Sequence, residues 1–191
     1  MPVNPGYDVY LSSTEYYTPE RYLIAARRVF GKPIDLDPAS CEMANKVVQA
    51  RRFYCKEDNG LELPWYGTLW LNPPFGKLAG DRSSQAKWTG KLIDEWNQGH
   101  IEQAIVLCNP SDTASRWYHR LLAYPHCFTD HRIAFYSYNT GKEVRRGMVG
   151  SVFFYFGLEC ETFYSVFEQF GTCEPPARLK NELRLFREDM R

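Results

Sequence analysis

The chain has 191 residues, 44% hydrophobic and 24% charged, enough for one domain and unlike a disordered, collagenous or coiled-coil polymer. Lys+Arg and Asp+Glu are both 23, so the net charge is +0 and no global field gathers nucleic acid or membrane; a polyanion site has to be a local patch. No apolar run reaches the roughly 18–20 residues that cross a bilayer, and the opening MPVNPGYDVYLSS has neither the basic nor the apolar region of a leader, so a cytoplasmic location with no membrane partner is expected.

In chain order, residues 1–13 carry two prolines and a glycine and read as an N-terminal arm. Thr18-Pro19-Glu20 predicts a helix start, with a hydroxyl cap, proline at the first helical position and an early carboxylate facing the dipole; Leu23, Ala26, Val29 and Phe30 then turn inward until Gly31. A short strand, Ile34-Asp35-Leu36, ends in Asp37-Pro38-Ala39-Ser40, and a helical stretch follows from Glu42 towards Gln49. Thr68 to Leu71 is an apolar strand running straight into Asn72-Pro73-Pro74-Phe75-Gly76. Trp88, Leu92, Ile93 and Trp96 share one face of a helix from about Ser84 to Asn97. The strand Ala104 to Cys108 again ends in Asn-Pro, and Thr113 or Ser115 can cap a helix through Trp117, Leu121 and Leu122. Arg132–Ser137 and Ser151–Phe156, joined by a basic, glycine-flanked loop, predict an antiparallel hairpin at one sheet edge. Glu161 to Phe170 and the charged stretch 176–191 read as helices.

Strands alternating with helices predict an α/β fold with a largely parallel central sheet, whose ligands sit beyond the carboxyl ends of the strands. Three of those ends carry signals: Asp37-Pro38, Asn72-Pro73-Pro74 and Asn109-Pro110. The six cysteines, Cys41, Cys55, Cys108, Cys127, Cys160 and Cys173, form no C-x-x-C pair and stand at no ligand spacing from histidine, which predicts buried free thiols and no metal centre. Aromatics reach 16%, as core or as faces on which bases stack.

The loop after Leu71 is the most informative segment. Proline supplies no N–H and holds its predecessor extended, so Asn72 and Pro73 form a stiff loop that offers acceptors and few donors. Such a space suits a group with two N–H donors. The exocyclic amine of adenine is one: the Asn72 side-chain oxygen and the Pro73 carbonyl can each take one hydrogen. Both bonds oppose delocalisation of the nitrogen lone pair, and so strengthen as that nitrogen attacks an electrophile. Phe75 offers a flat face for the base and Gly76 allows close approach. Taken alone, the same four residues also suit an ordinary turn with Phe75 in the core.

TLWLNPPFGK resembles the Asp/Asn-Pro-Pro-Tyr/Phe motif of amino-group methyltransferases. The wider runs YTPERYLIAARRVFGKPIDLDPAS and ARRFYCKEDNGLELPWYGTLWLNPPFG resemble the phage and prophage DNA adenine methyltransferase family, often called Dam-like, over about Tyr17 to Phe156. That resemblance implies a Rossmann-like methyltransferase fold in a single domain, S-adenosylmethionine as donor, and adenine in DNA as acceptor. The base would be flipped into the pocket for site-specific methylation of phage or restriction-modification type. A phage-encoded chain would act in the host cytoplasm.

Carried over residue by residue, the resemblance makes Asn72, Pro73, Pro74 and Phe75 the catalytic loop. Thr18 and Pro19 would border the methionine end of the cofactor, with Asn72 beside it. Asp35, Asp37, Pro38, Ala39 and Ser40 would form the first cofactor motif, and Asp58 would meet the cofactor's adenine, with Asn59 and Gly60 turning the cofactor-binding loop beneath it. Lys77, Arg82, Arg116, Lys142, Arg145 and Arg146 are the candidate phosphate contacts, with Trp117, Tyr118 and Trp70 as further stacking rings. Two features depart from the pattern. PASCEMANK has no Gly-x-Gly turn, and the segment from Asn45 to Tyr54 has no acid for the ribose hydroxyls, leaving Asp37, Ser40 or Asn45 as substitutes. Alternatives are methylation of another amine, in RNA adenine or protein glutamine, or an inactive nucleic-acid-binding relative. The recognition sequence and oligomeric state are not encoded in any recognisable pattern.

Overall fold

The computed structural model describes residues 16–74, 83–110, 113–137 and 150–176. The expected arm at 1–13 and nearly all of the charged helix at 176–191 fall outside them.

A seven-stranded sheet runs in the order β3-β2-β4-β5-β8-β6-β9. Its members are β2 (Leu36–Asp37), β3 (Arg52–Phe53), β4 (Gly67–Leu71), β5 (Ile101–Cys108), β6 (His126–Thr129), β8 (Val152–Phe156) and β9 (Gly171–Glu174). The pairs β3-β2, β2-β4 and β4-β5 are parallel, while β8 is antiparallel to both β5 and β6, and β9 to β6. This mixed α/β sheet, parallel across β3 to β5, is compatible with a Rossmann-like methyltransferase. Two short strands, β1 (Tyr16–Tyr17) and β7 (Tyr136–Ser137), pair apart from it.

Helices cover both faces, and the pleat sorts the strand residues between them. Trp70, Ile105, Leu107, Phe153 and Tyr155 face one layer, together with α1 (Glu20–Phe30), α2 (Glu42–Val48) and α5 (Cys160–Phe167). Leu69, Leu71, Ala104, Val106, Cys108, Val152, Phe154 and Phe156 alternate with them and face α3 (Ser84–Asn97) and α4 (Arg116–Leu121). Trp88, Leu92 and Ile93 of α3 are buried as their spacing predicts. None of the described helices is long and apolar enough to cross a membrane.

Two local expectations are corrected. The predicted hairpin does not form: β7 pairs with β1, and β8 lies inside the sheet between β5 and β6. All five residues of β8 are buried, so the strand needs cover on both faces and a neighbour on each side, which an edge cannot supply. Nor does Thr18 cap α1. Pro19 occupies the cap position, no side chain closes the first turn, and the Thr18 hydroxyl is engaged elsewhere. At its other end α1 stops as predicted, with Gly31 in the left-handed region at φ 65°.

Candidate active site

The chain leaves β2 to form β3 on one side, then returns to lay β4 on the other side of β2 and β5 beyond it. Strand order therefore reverses between β2 and β4, and in an open parallel sheet ligands bind outside the carboxyl ends at that point. Asp37 ends β2 and Asn72 follows β4, so the two residues singled out from sequence flank the reversal.

Asp37 is 3% exposed. Burial pushes its carboxyl up to about 7, against the opposing pull of the Ser40 hydroxyl and the Ala39 amide; the Ala39 N–H donates to Oδ1 at 3.2 Å. No cation contributes to that balance. The Ser40 Oγ is buried without a well-formed hydrogen bond among the described residues, although its main-chain N–H is tied to the Tyr54 carbonyl at 2.9 Å. A buried carboxyl with no cationic partner among its contacts is costly in an apolar core and is suited to a polar or cationic ligand.

Gly60 closes this corner. A methyl at residue 60 would overlap the Pro38 carbonyl oxygen, so only glycine lets the loop after β3 lie against the Asp37-Pro38 turn. The Gly60 carbonyl accepts from Trp65 Nε1 at 2.7 Å, which locks the approach. The sequence-predicted pieces DPAS and EDNG are thereby brought together. Asp58 is exposed and caps its own short 3-10 turn, accepting from the Cys55 N–H at 2.7 Å, and Asn59 takes the left-handed conformation at φ 52°.

Arg52–Phe53 is a parallel strand beside β2, and Glu57 and Asp58 lie in the short 3-10 turn that begins three residues after it, at Lys56. Two residues with one arginine carry no strand signal, so the sequence conceals it. Asn45, by contrast, pins the α2 to β3 turn from both sides, donating to the Ala50 carbonyl at 3.1 Å and accepting from its N–H at 2.9 Å. Asp35 is also occupied. It accepts from the Thr68 N–H at 3.0 Å and from the Thr68 hydroxyl at 3.1 Å, and pairs with Arg51 at 3.0 Å and Lys32 at 3.4 Å, tying β2 to β4 below the strand ends.

On the other side of the reversal, Asn72 Nδ2 donates to Thr18 Oγ1 at 3.3 Å. This bond replaces the expected helix cap. It holds the Asn72 amide with its nitrogen towards the start of α1 and its oxygen turned the other way. Pro73 is buried and Pro74 exposed. Trp70 is 1% exposed and packs on Phe153, which makes it a core ring rather than a stacking face. At the next strand end, the Asn109 N–H donates to the buried Gln85 of α3 at 3.1 Å. Arg116 begins α4 exposed, and Trp117 is half-buried with its ring edge-on to the buried Tyr118. Phe75, Lys77, Arg82, Lys142, Arg145 and Arg146 lie outside the described residues.

The six cysteines are free; Cys108 and Cys127 are buried and the other four half-buried. No curated protein and no solved structure matches the chain. A family model does: the one described as DNA N-6-adenine-methyltransferase (Dam) matches residues 12–169, a span that contains both strand ends of the reversal and the Asn-Pro-Pro loop. The chain therefore belongs to the DNA N-6-adenine-methyltransferase (Dam) family.

Proposed function

We propose that this protein methylates the exocyclic N6 amine of adenine in DNA, with S-adenosylmethionine as donor and the target base flipped out of the duplex. The observation that carries the reading is the pairing, at one strand-order reversal, of a buried carboxyl at Asp37 with a stiff acceptor loop at Asn72-Pro73.

The residues fit the cofactor. Asp37, whose buried carboxyl has no cation, suits an α-ammonium, and the Ser40 hydroxyl is available beside it. Ala39 and Pro38, against which Gly60 packs, would line the site, with Glu57, Asp58 and Asn59 assigned to the sugar and base end and Thr18 and Pro19 to the methionine end. When bound, the donor supplies an electrophilic methyl group on a sulfonium. Asn72 accepts one amine hydrogen and the Pro73 carbonyl the other, which holds the adenine nitrogen in line and keeps its lone pair out of the ring. Thr18 fixes the Asn72 amide so that its oxygen is the acceptor presented. Phe75 is assigned to stack on the base, and Lys77, Arg82, Arg116, Trp117, Lys142, Arg145 and Arg146 to the DNA strand on either side. Asp35 acts at a distance, by holding β2 and β4 in register.

The test is to incubate the full chain with methyl-labelled donor and, separately, duplex DNA, RNA and protein, and to identify the labelled product. Label on N6 of adenine in DNA is expected. Label in RNA or on glutamine would move the same chemistry to another acceptor, and cofactor binding without label anywhere would mark an inactive relative.

A further inference from the structure

A chain of polar contacts runs along the carboxyl edge of the sheet at a place the reaction does not use. Asp130 and His131 follow β6, which is parallel to β5 and therefore ends on the same edge as β4 and β5. His131 Nδ1 meets Asp130 Oδ1 at 2.7 Å, His131 Nε2 meets the Tyr22 hydroxyl at 2.7 Å, and Arg21 donates to that hydroxyl at 2.8 Å. The bonds form one consistent donor order. Arg21 donates to the Tyr22 oxygen, Tyr22 donates to Nε2, and the Nδ1 proton goes to Asp130. The Arg21 guanidinium also lies 4.8 Å from the centre of the Tyr22 ring. Tyr22 itself is fully buried, packed on Phe153 and Phe170.

The Arg21 end of this chain faces solvent. Arg21 is exposed and meets no carboxylate at ion-pair distance among the described residues. It stands in the first turn of α1, where a cation works against the helix dipole. It is three residues along the chain from Thr18, which holds Asn72. A long, exposed cation is normally free to sample many rotamers, and here a buried tyrosine, a histidine and an aspartate hold it at the carboxyl edge of the sheet, beside the end of β6.

We infer that Arg21 is a preset contact for a phosphate of the bound DNA on the β6 side of the target adenine, three strand places from β4, and that Tyr22, His131 and Asp130 are its positioning residues. The inference rests on the methyltransferase reading above and assigns that site an additional DNA contact. An anion here has two sources, a DNA phosphate or the carboxylate of the cofactor. Direction separates them. The guanidinium reaches towards His131, 3.5 Å from Nε2, at the end of β6. In the strand order, β6 is four places from β2, where Asp37 stands. At roughly 4.8 Å per strand that is about 19 Å, on the opposite side of Asn72 from the cofactor corner.

The experiment measures duplex DNA affinity of the full-length protein across a range of salt concentrations, with S-adenosylmethionine binding measured in parallel by calorimetry. The proteins compared are wild type, Arg21→Ala, Tyr22→Phe and, as a control, Arg28→Ala at the exposed far end of the same helix. Arg21→Ala should lower affinity on the order of tenfold, since a hydrogen bond to a charged group is lost. It should also reduce the slope of log affinity against log salt by about 0.9, the contribution of one phosphate contact. Tyr22→Phe should weaken DNA binding by a smaller factor while leaving melting and cofactor binding in place, because only the hydroxyl that anchors Arg21 is removed. Arg28→Ala should match wild type. An Arg21→Ala protein with wild-type slope and affinity overturns the assignment, as does one that loses cofactor binding with its slope unchanged. Tyr22→Phe with unchanged DNA affinity overturns the positioning chain. Wild-type protein that binds no DNA overturns the methyltransferase reading as well, so the two failures are distinct.

Discussion

Replacing Asp37 with asparagine separates the cost of a buried carboxyl from its use. The group is 3% exposed, and burial pushes it from an ordinary value near 3.8 up to about 7. Between those values the unfolded chain is ionised while the folded protein keeps the proton. Stability therefore falls as pH rises through this window, by up to about 4 kcal/mol, and is flat above it. Asparagine keeps the shape and the oxygen that accepts from the Ala39 N–H but has no proton to lose. Asp37→Asn should be more stable than wild type at about pH 8 and should lose that advantage towards pH 4. Urea unfolding of both proteins across the range measures it, and other carboxylates cancel in the difference. The cofactor supplies a second readout. Below about 7, wild type has to release the Asp37 proton to meet an ammonium, so affinity should rise with pH up to that point. Calorimetry at about pH 6 in buffers of different ionisation enthalpy should show a proton leaving on binding, and Asp37→Asn should bind weakly and release none. A stability difference that does not vary with pH, or cofactor binding without proton release, refutes the reasoning.

Asn72→Ala should lower turnover on the order of a hundredfold or more while leaving the melting curve in place, because it deletes an acceptor used in the transition state. Thr18→Val, which removes only the oxygen holding the Asn72 amide, should lower kcat by about tenfold; near-normal rates in both would remove the loop from catalysis. Gly60→Ala should cost about 1–3 kcal/mol of stability and weaken cofactor binding, since a methyl there overlaps the Pro38 carbonyl; wild-type melting would show the two loops to be independent. At Phe75, a stacking role predicts that Tyr or Trp keeps activity while Leu loses about 1–3 kcal/mol of flipped-base binding, read by 2-aminopurine fluorescence. A core role predicts instead that Leu is tolerated and Trp unfolds the site.

Much of the architecture is legible in the sequence because it is set locally. The bounds of α3 follow from the spacing of Trp88, Leu92 and Ile93, the stop of α1 from Gly31, and the ends of β2, β4 and β5 from Asp-Pro and Asn-Pro steps that break a strand wherever it lies. The family was legible for the same reason, since the resemblance rests on contiguous runs of residues, all within the 12–169 that the family model matches. Strand order is different, because it depends on which apolar runs find cover. The run of five at 152–156 is the same in an edge hairpin or in the middle of a sheet, and only the assembled helices and the partners β5 and β6 decide for the middle. Short elements are hidden likewise: β3 exists because β2 is beside it, and without β3 the turn that carries Glu57 and Asp58 has no strand before it. Side-chain allegiances are decided last. The Thr18 hydroxyl had a local use as a cap, and a residue 54 positions away takes it instead. Tyr22 and His131 are 109 positions apart and make a 2.7 Å contact, a pairing no periodicity or motif can express, because it exists only when α1 lies across the sheet and its first turn meets the end of β6.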